Sequence, residues 1–476
     1  MPLALTPTIF VIFGITGDLA GRKLLPALLS LYSKKMLPER FIIIGFSRRQ
    51  FTREDFRDLI RGRLNIRPGE FKEEDVKHFL DHITYEQGMF NEPLAYNRLA
   101  ERIKSIDERW GQCTNKLFHL SVPPHLYEGI LNNLAASKLT EACADGIGWT
   151  RVLIEKPFGN DIETARSLDK LLSRLFKEEQ IFRIDHYLAK ESLQNILAFR
   201  GANMMFETVW NKECVDKIHI KLFEKLGVED RGTFYDKIGA LRDVGQNHIL
   251  QMLALIAMER PKSYTPEDVR KERAALLESL KAIMPKDITK YVVRGQYDGY
   301  INETGVAGDS QTETYFRIEA RLNSARWKKI PFFLEAGKAM AEAKTEIDVY
   351  FKAKSKKQKM SFFGPDVNYS GIEGQNVMTF RIQPDEGIKI RFFVKTPGYE
   401  FKTEPKILKF KYSDVPSFSV MPNDYERLIH DAFVGDQTLF ASTDEIMASW
   451  KFITPIVENL NKVQLKKYEK GSREIE

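Results

Sequence analysis

Cysteine is scarce, with three in 476 residues: Cys113, Cys143 and Cys214, widely spaced, odd in number and without a C-x-x-C pair. This pattern excludes a disulfide framework and a zinc site of ordinary ligand spacing, and it points to a reducing, cytoplasmic setting. Long apolar runs are also missing. The stretch Ile9 to Ile15 is broken by Gly14 and has no basic residues before it, so it reads as a buried strand rather than a signal peptide, and no segment has the length to span a bilayer. Neither sign of charge dominates. Lys and Arg number 72 against 66 Asp and Glu, a net charge of +6; this suits small anionic ligands and is too diffuse for nucleic acid. Repeats and low-complexity tracts are absent, and the basic run KAKSKKQK at 352–359 reads as a solvated loop.

Hydrophobic residues make up 43% of the chain and charged residues 29%, the balance of a compactly folded protein. At this length two domains are expected. Up to about Asp185, apolar runs alternate with helical patterns: IFVIFG, FIIIGFS, KLFHLS, RVLIEK and IFRID. Such runs predict a mostly parallel, doubly wound Rossmann-like sheet whose strands are covered on both faces. The clearest helix follows Asn160 and Asp161, either of which can cap it. Beyond Asp185 the runs KIHIKLFEK, TYFRIEARL, EIDVYFK, VMTFRIQP, IKIRFFVK and KILKFKYS alternate apolar with polar. That pattern predicts a mainly antiparallel sheet with helices. The expected division is therefore an α/β domain over 1–184 and a larger α+β domain over 185–476.

The first strand leads into Gly14-Ile15-Thr16-Gly17-Asp18-Leu19-Ala20. A glycine turn between strand and helix admits phosphate to the backbone and to the helix N-terminus. The turn lacks G-x-G-x-x-G, matches no P-loop, and taken alone serves equally as a structural turn. Pro26, well inside the following helix, predicts a kink or a fresh helix start. The next strand ends at Ser47-Arg48-Arg49, where an arginine favours a ribose 2′-phosphate, and hence NADP, over a diol. Lys156 follows a strand directly and precedes Pro157, at the end of the sheet where ligands of open α/β folds bind. Asp185, His186, Tyr187 and Lys190 fall within six residues; imidazole, phenol and ammonium there suit a phosphate. His248 lies on an apolar helix whose polar end holds Asp243, Gln246 and Asn247. On a regular helix at about 100° per residue, Asp243 and His248 stand about 140° apart, so Asp185 is the better charge partner for a His248 base and Asp243 is left to bind ligand.

Together these stretches resemble glucose-6-phosphate dehydrogenases. The resemblance runs from FGITGDLAGRKLLPAL through IGWTRVLIEKPFG, RIDHYLAKE, EDRGTFYDKIGALRDVGQNHILQ and PFFLEAGKAM to NDYERLIHDAFVGDQTLF. It implies oxidation of D-glucose 6-phosphate at C1 to 6-phospho-D-glucono-1,5-lactone with hydride transfer to NADP, NAD being the weaker alternative, as the first step of the oxidative pentose phosphate pathway. It implies coenzyme-binding roles for Gly14, Thr16, Gly17, Asp18, Leu19 and Arg48. Lys23 and Lys156 match lysines between coenzyme and sugar, and YEQGMF at 85–90 matches loosely a coenzyme-facing loop. His186, Tyr187 and Lys190 match phosphate ligands, Glu224 and Asp243 carboxylates that bind sugar hydroxyls, and Lys338 a further substrate lysine. His248 matches the proton acceptor and Asp185 its partner; no metal is required. A homodimer or homotetramer assembled through the larger domain's sheet is implied as well.

Three positions depart from the family pattern. Gly21 stands where a basic or small residue is common, which adds flexibility to the turn. Ala189 replaces a glycine, at a cost of about 1 kcal/mol if the backbone there is left-handed. Ala343 replaces a basic residue, with Lys344 next to it able to take its place. Two other readings compete: a catalytically silent NADP-binding sensor or scaffold, for which a His248–Asp185 pair has no use, and a dehydrogenase of an unphosphorylated sugar, for which His186, Tyr187 and Lys190 have none.

Overall fold

The computed structural model describes residues 6–64, 66–67, 69–142, 148–353, 374–399, 403–416 and 421–475. They form two compact units. One comprises Met1–Ala189, Tyr264–Arg270 and Pro422–Ile446; the other comprises Lys190–Ser263, Lys271–Met421 and Met447–Glu476. The division is thus not a single cut at 184.

Among the described residues the first unit holds seven strands: β1 (Thr8–Phe13), β2 (Phe41–Ser47), β3 (Ile83–Gln87), β4 (Asn115–Leu120), β5 (Thr150–Glu155), β6 (Ile181–Ile184) and, far along the chain, β15 (Phe440–Ala441). Their order is β15-β6-β5-β4-β1-β2-β3. All neighbours are parallel except β15, which runs antiparallel to β6 with Phe440 opposite Ile184. The chain leaves β1 toward β2 on one side and returns to β4 on the other, so the strand order reverses beside β1, where doubly wound sheets bind ligands. Every residue of β1 and β4 is buried, as strands covered on both faces must be.

The late segment belongs here for identifiable reasons. Asn423 caps the helix Asp424–Val434 by accepting from the Glu426 N–H at 2.9 Å, and left-handed Gly435 ends it. The Glu426 carboxylate takes bonds from Ser30 and Lys34, and the Arg151 guanidinium donates to the carbonyls of Ala432 and Phe433. Asp161 caps the helix Ile162–Leu175, accepting from the Thr164 N–H at 2.8 Å. Pro26 sits in the first turn of the helix Leu25–Ser33, which a five-residue π-helical turn, Ala20–Leu24, leads into. The backbone stays helical across that junction, with Leu24 at φ −72°, ψ −50° and Leu25 at φ −64°, ψ −43°. The chain therefore changes hydrogen-bond register before Pro26 rather than starting a fresh helix there; a proline that donates no N–H is tolerated at that position.

The second unit holds nine strands among its described residues: β7 (Val215–Phe223), β8 (Val292–Tyr297), β9 (Tyr315–Ala320), β10 (Phe332–Gly337), β11 (Lys344–Phe351), β12 (Val377–Gln383), β13 (Gly387–Lys395), β14 (Thr403–Lys411) and β16 (Leu465–Tyr468). The order is β14-β13-β12-β11-β7-β10-β9-β8-β16. Only β7 with β10 and β8 with β16 pair in parallel, so the sheet is mainly antiparallel. The segment Leu241–Ala257, π-helical to Ile249 and α-helical from Leu250, is buried over most of its length.

Cys214 is free, and Cys143 lies outside the described residues. Of the basic run at 352–359, only Lys352 and Ala353 lie within the described residues. No described helix is long and apolar enough to cross a membrane.

Candidate active site

At the carboxyl ends of β1, β2 and β4, the first unit forms an open cleft of about 620 Å³. Gly14, Thr16, Gly17, Ser47, Arg48, Met89, Phe90, Ser121 and Val122 are among the residues that line it, and its size suits a small-molecule cofactor. The turn begins with Gly14 at φ +80°, and the Gly17 N–H closes it on the Gly14 carbonyl at 2.8 Å. A Cβ on Gly14 would lie 2.3 Å from the Ser121 carbonyl oxygen, so the loop after β4 approaches the turn as closely as glycine allows. Arg48 is exposed at the cavity edge, and among the described residues its guanidinium has no hydrogen-bond or ion-pair partner.

The loosely matched segment at 85–90 contributes Met89 and Phe90 to the same wall. The Phe90 carbonyl is fixed by the Tyr96 hydroxyl at 2.8 Å and the Asn133 amide at 3.3 Å. Asp18 and Leu19 lie just beyond the cavity lining, where Asp18 is exposed and pairs with Arg22 at 3.4 Å. Lys23 is exposed on the π-helical turn. Lys156 is half-buried immediately after β5.

Sequence reasoning missed Arg63. Its guanidinium donates to the carbonyl of Thr16 and, at 3.3 Å, to that of Gly17, and so holds the turn from behind. Gly21 packs against it: a Cβ there would come within 3.3 Å of the Arg63 Cβ, so a larger residue at 21 would press on Arg63. No spacing rule links Arg63 to a turn 46 residues earlier, whereas Ser121 and Val122 could have been found as the residues following a strand beside the reversal.

Asp185, His186 and Tyr187 follow β6 in a tight turn. The Asp185 carboxylate accepts from the Tyr187 N–H at 3.0 Å and its carbonyl from the Leu188 N–H at 3.0 Å. Asp185 and Tyr187 are buried and His186 is half-buried. Ala189 is not left-handed, so its replacement of glycine carries no backbone strain. Lys190 precedes the helix Glu191–Ala202, its carbonyl taking the N–H groups of Leu193 and Gln194.

In the second unit Glu224, Asp243 and Lys338 come together. The Lys338 ammonium bonds to the Glu224 carboxylate and lies 4.0 Å from that of Asp243. It also sits 5.2 Å from the ring centroid of Tyr235. The Tyr235 hydroxyl is held far above its ordinary pKa by burial and by the carboxylates of Asp243, Glu313 and Glu224, which keeps it neutral. Lys344 is taken up elsewhere, by Glu342 at 2.6 Å.

His248 is buried on the segment Leu241–Ile249, which is π-helical. The argument that separated Asp243 from His248 by about 140° assumed a regular helix. A π-helix closes its hydrogen bonds from i to i+5, so these two residues, five apart, fall on neighbouring turns of one face. Asn247 supports the unusual turn: its amide donates to the carbonyls of Asp243 at 3.0 Å and Arg242 at 3.3 Å, and its oxygen accepts the His248 N–H at 2.7 Å.

Comparison with known proteins bears on what this arrangement serves. The family profile described as glucose-6-phosphate dehydrogenase, NAD binding domain, matches residues 11–195, and that of the C-terminal domain of the same enzyme matches 197–476. The glucose-6-phosphate 1-dehydrogenase of Chlamydia pneumoniae is 38% identical over 96% of this chain and 90% of its own. That of Borreliella burgdorferi is 39% identical over 97% and 94%. A solved glucose-6-phosphate dehydrogenase in complex with its substrate glucose-6-phosphate superposes with a TM-score of 0.90 at 33% identity, covering 100% of this chain and 97% of that one.

Proposed function

This chain belongs to the glucose-6-phosphate dehydrogenase family, and from that membership we propose that it oxidises D-glucose 6-phosphate at C1 to the 1,5-lactone, with NADP preferred over NAD. The observation that carries the reading is the π-helical placement of Asp243 and His248 on one face, with Lys338 and Glu224 beside Asp243. A base and one hydroxyl-binding carboxylate are thus built into one short segment, with Glu224 and Lys338 brought to it from the ends of β7 and β10.

The residues around the first unit's cavity fit a phosphorylated dinucleotide. The Gly14–Gly17 turn opens onto a helix N-terminus, whose partial positive charge suits a pyrophosphate, and the exposed Arg48 can form charge-assisted bonds with a 2′-phosphate. NADP, when bound, supplies the hydride acceptor at C4 of its nicotinamide.

The remaining chemistry rests on the chain. His186, Tyr187 and Lys190 bind the 6-phosphate and so fix the sugar; Glu224 and Asp243 accept hydrogen bonds from its hydroxyls, and Lys23, Lys156 and Lys338 orient it. His248 takes the proton of the anomeric hydroxyl as the C1–H bond releases its hydride and the C1 carbonyl forms. Asp185 steadies the resulting imidazolium.

The test is the appearance of reduced nicotinamide absorbance when purified protein meets glucose 6-phosphate and NADP. Without it the activity is refuted. His248→Asn should lower kcat by about a hundredfold or more while sugar binding persists; turnover near the wild-type rate would remove His248 as the base.

Assembly into a homodimer or homotetramer through the larger sheet belongs to the same reading. β14 supports it, since Ile407, Leu408 and Phe410 are 56%, 59% and 41% exposed on an edge strand that soluble proteins ordinarily cover. Light scattering that returned the mass of one chain would refute it.

A further inference from the structure

We infer that Glu313, which lies outside every site motif above, is a positioning residue that sets Asp243 and His248 by anchoring the start of their π-helix. The inference rests on the roles proposed for those two residues. Glu313 precedes β9 in the stretch SQTETYF and is only 7% exposed. Its side chain accepts the Leu241 N–H at 3.0 Å while its own carbonyl accepts the Ala240 N–H at 3.0 Å. One residue therefore grips both peptides that open the helix.

The fit is close enough to dictate a neighbour. Gly239 has φ +74°, and a Cβ there would stand 2.3 Å from one Glu313 carboxylate oxygen and 2.6 Å from the other. Only glycine permits the carboxylate to reach over that turn. The next residue along completes the arrangement, since the Thr314 carbonyl accepts the Lys338 N–H at 2.9 Å. Two consecutive residues thus register the helix bearing Asp243 and His248 and the lysine that pairs with Asp243 to a single point at the start of β9.

A buried carboxylate is costly unless bonded and balanced. Here the first N–H groups of a helix supply the bond and a partial positive charge, with the guanidiniums of Arg242 and Arg294 near enough to act on it. Burial nonetheless outweighs them and holds the Glu313 carboxyl above its ordinary pKa. The group is there for its geometry, since an apolar residue would leave the Leu241 N–H without an acceptor.

Kinetics of Glu313→Ala, Glu313→Asp and Glu313→Gln test this. Removing the acceptor (Ala) or shortening its reach (Asp) should lower kcat about tenfold or more and raise KM for glucose 6-phosphate, with the Kd for NADPH within about twofold of wild type. Gln, which keeps an acceptor oxygen at the same reach, should restore most of the loss. Should Glu313→Ala fail to fold, Glu313→Asp carries the test. Unchanged kcat and KM, or loss of NADPH binding together with turnover in every variant, would overturn the positioning role. If the wild-type protein itself shows no turnover, the proposed activity fails separately. The imidazole proton resonance of His248, identified by its absence in His248→Asn, then decides: displaced in Glu313→Asp and restored in Glu313→Gln supports the inference, and unmoved in both refutes it.

Discussion

Replacing Gly14 by alanine should both destabilise the first unit and damage the coenzyme cavity. The new Cβ would lie 2.3 Å from the Ser121 carbonyl oxygen and 2.8 Å from Val122 Cγ1, both closer than van der Waals contact. Neither loop can easily give way. The Gly14 N–H is bonded to the Phe46 carbonyl at 2.9 Å, and the Ser121 N–H to that of Phe13 at 3.0 Å, so moving either loop strains a junction with a buried strand. Left-handed φ costs alanine about 1–2 kcal/mol and overpacking about 1–3 kcal/mol more, a destabilisation of roughly 2–5 kcal/mol. For a folding unit of this size that corresponds to a fall of roughly 4–20 °C in Tm. Because Gly14, Ser121 and Val122 all line the cavity, the Kd for NADPH, followed by nicotinamide fluorescence, should rise about tenfold or more. Gly111→Ala is the control, for Gly111 is also left-handed, at φ +67°, yet a Cβ there meets nothing within 4 Å. Should Gly14→Ala lose no more stability than Gly111→Ala and bind NADPH as wild type does, the close approach would carry no energetic weight and the reasoning would fail.

Arg48→Ala should separate the two coenzymes. Charge-assisted bonds to a phosphate contribute about 1.5–3 kcal/mol, so KM for NADP should rise roughly 10- to 150-fold while that for NAD stays within about threefold; an equal effect on both would remove Arg48 from the 2′-phosphate.

Much of the fold is legible in the sequence because buried strands write their burial directly into composition. β1, β2, β4, β5 and β6 each coincide with an apolar run, and the alternating runs of the second unit mark β7, β9 and β11 to β14. The misses have physical causes. β3 is half-exposed over most of its length and lacks an apolar run, and β15 is two residues long, too short to leave a pattern. That β15 and the helix Asp424–Val434 return to the first unit is set by contacts such as Glu426 with Lys34 and Arg151 with the Ala432 carbonyl, pairs hundreds of residues apart. The site follows the same division. That Gly14, Gly17 and Arg48 line one cavity was readable because turn and strand end are local features; the contacts of Arg63 and Glu313 were not, because each acts on a backbone group far away in sequence.

What the sequence determined by itself is the list of reactive groups and the class of fold that carries them, since residue type, glycine spacing and apolar period are local quantities. The tertiary structure alone decided how Asp243 and His248 share a face. A helical wheel places them apart, and the same residues in a π-helix stand on neighbouring turns. Which hydrogen-bond register the segment adopts depends on its surroundings, here an Asn247 amide bonded to two carbonyls within it and a Glu313 carboxylate that meets its first N–H. Hydrogen-bond register is a property of the packed chain, and no period in the sequence encodes it.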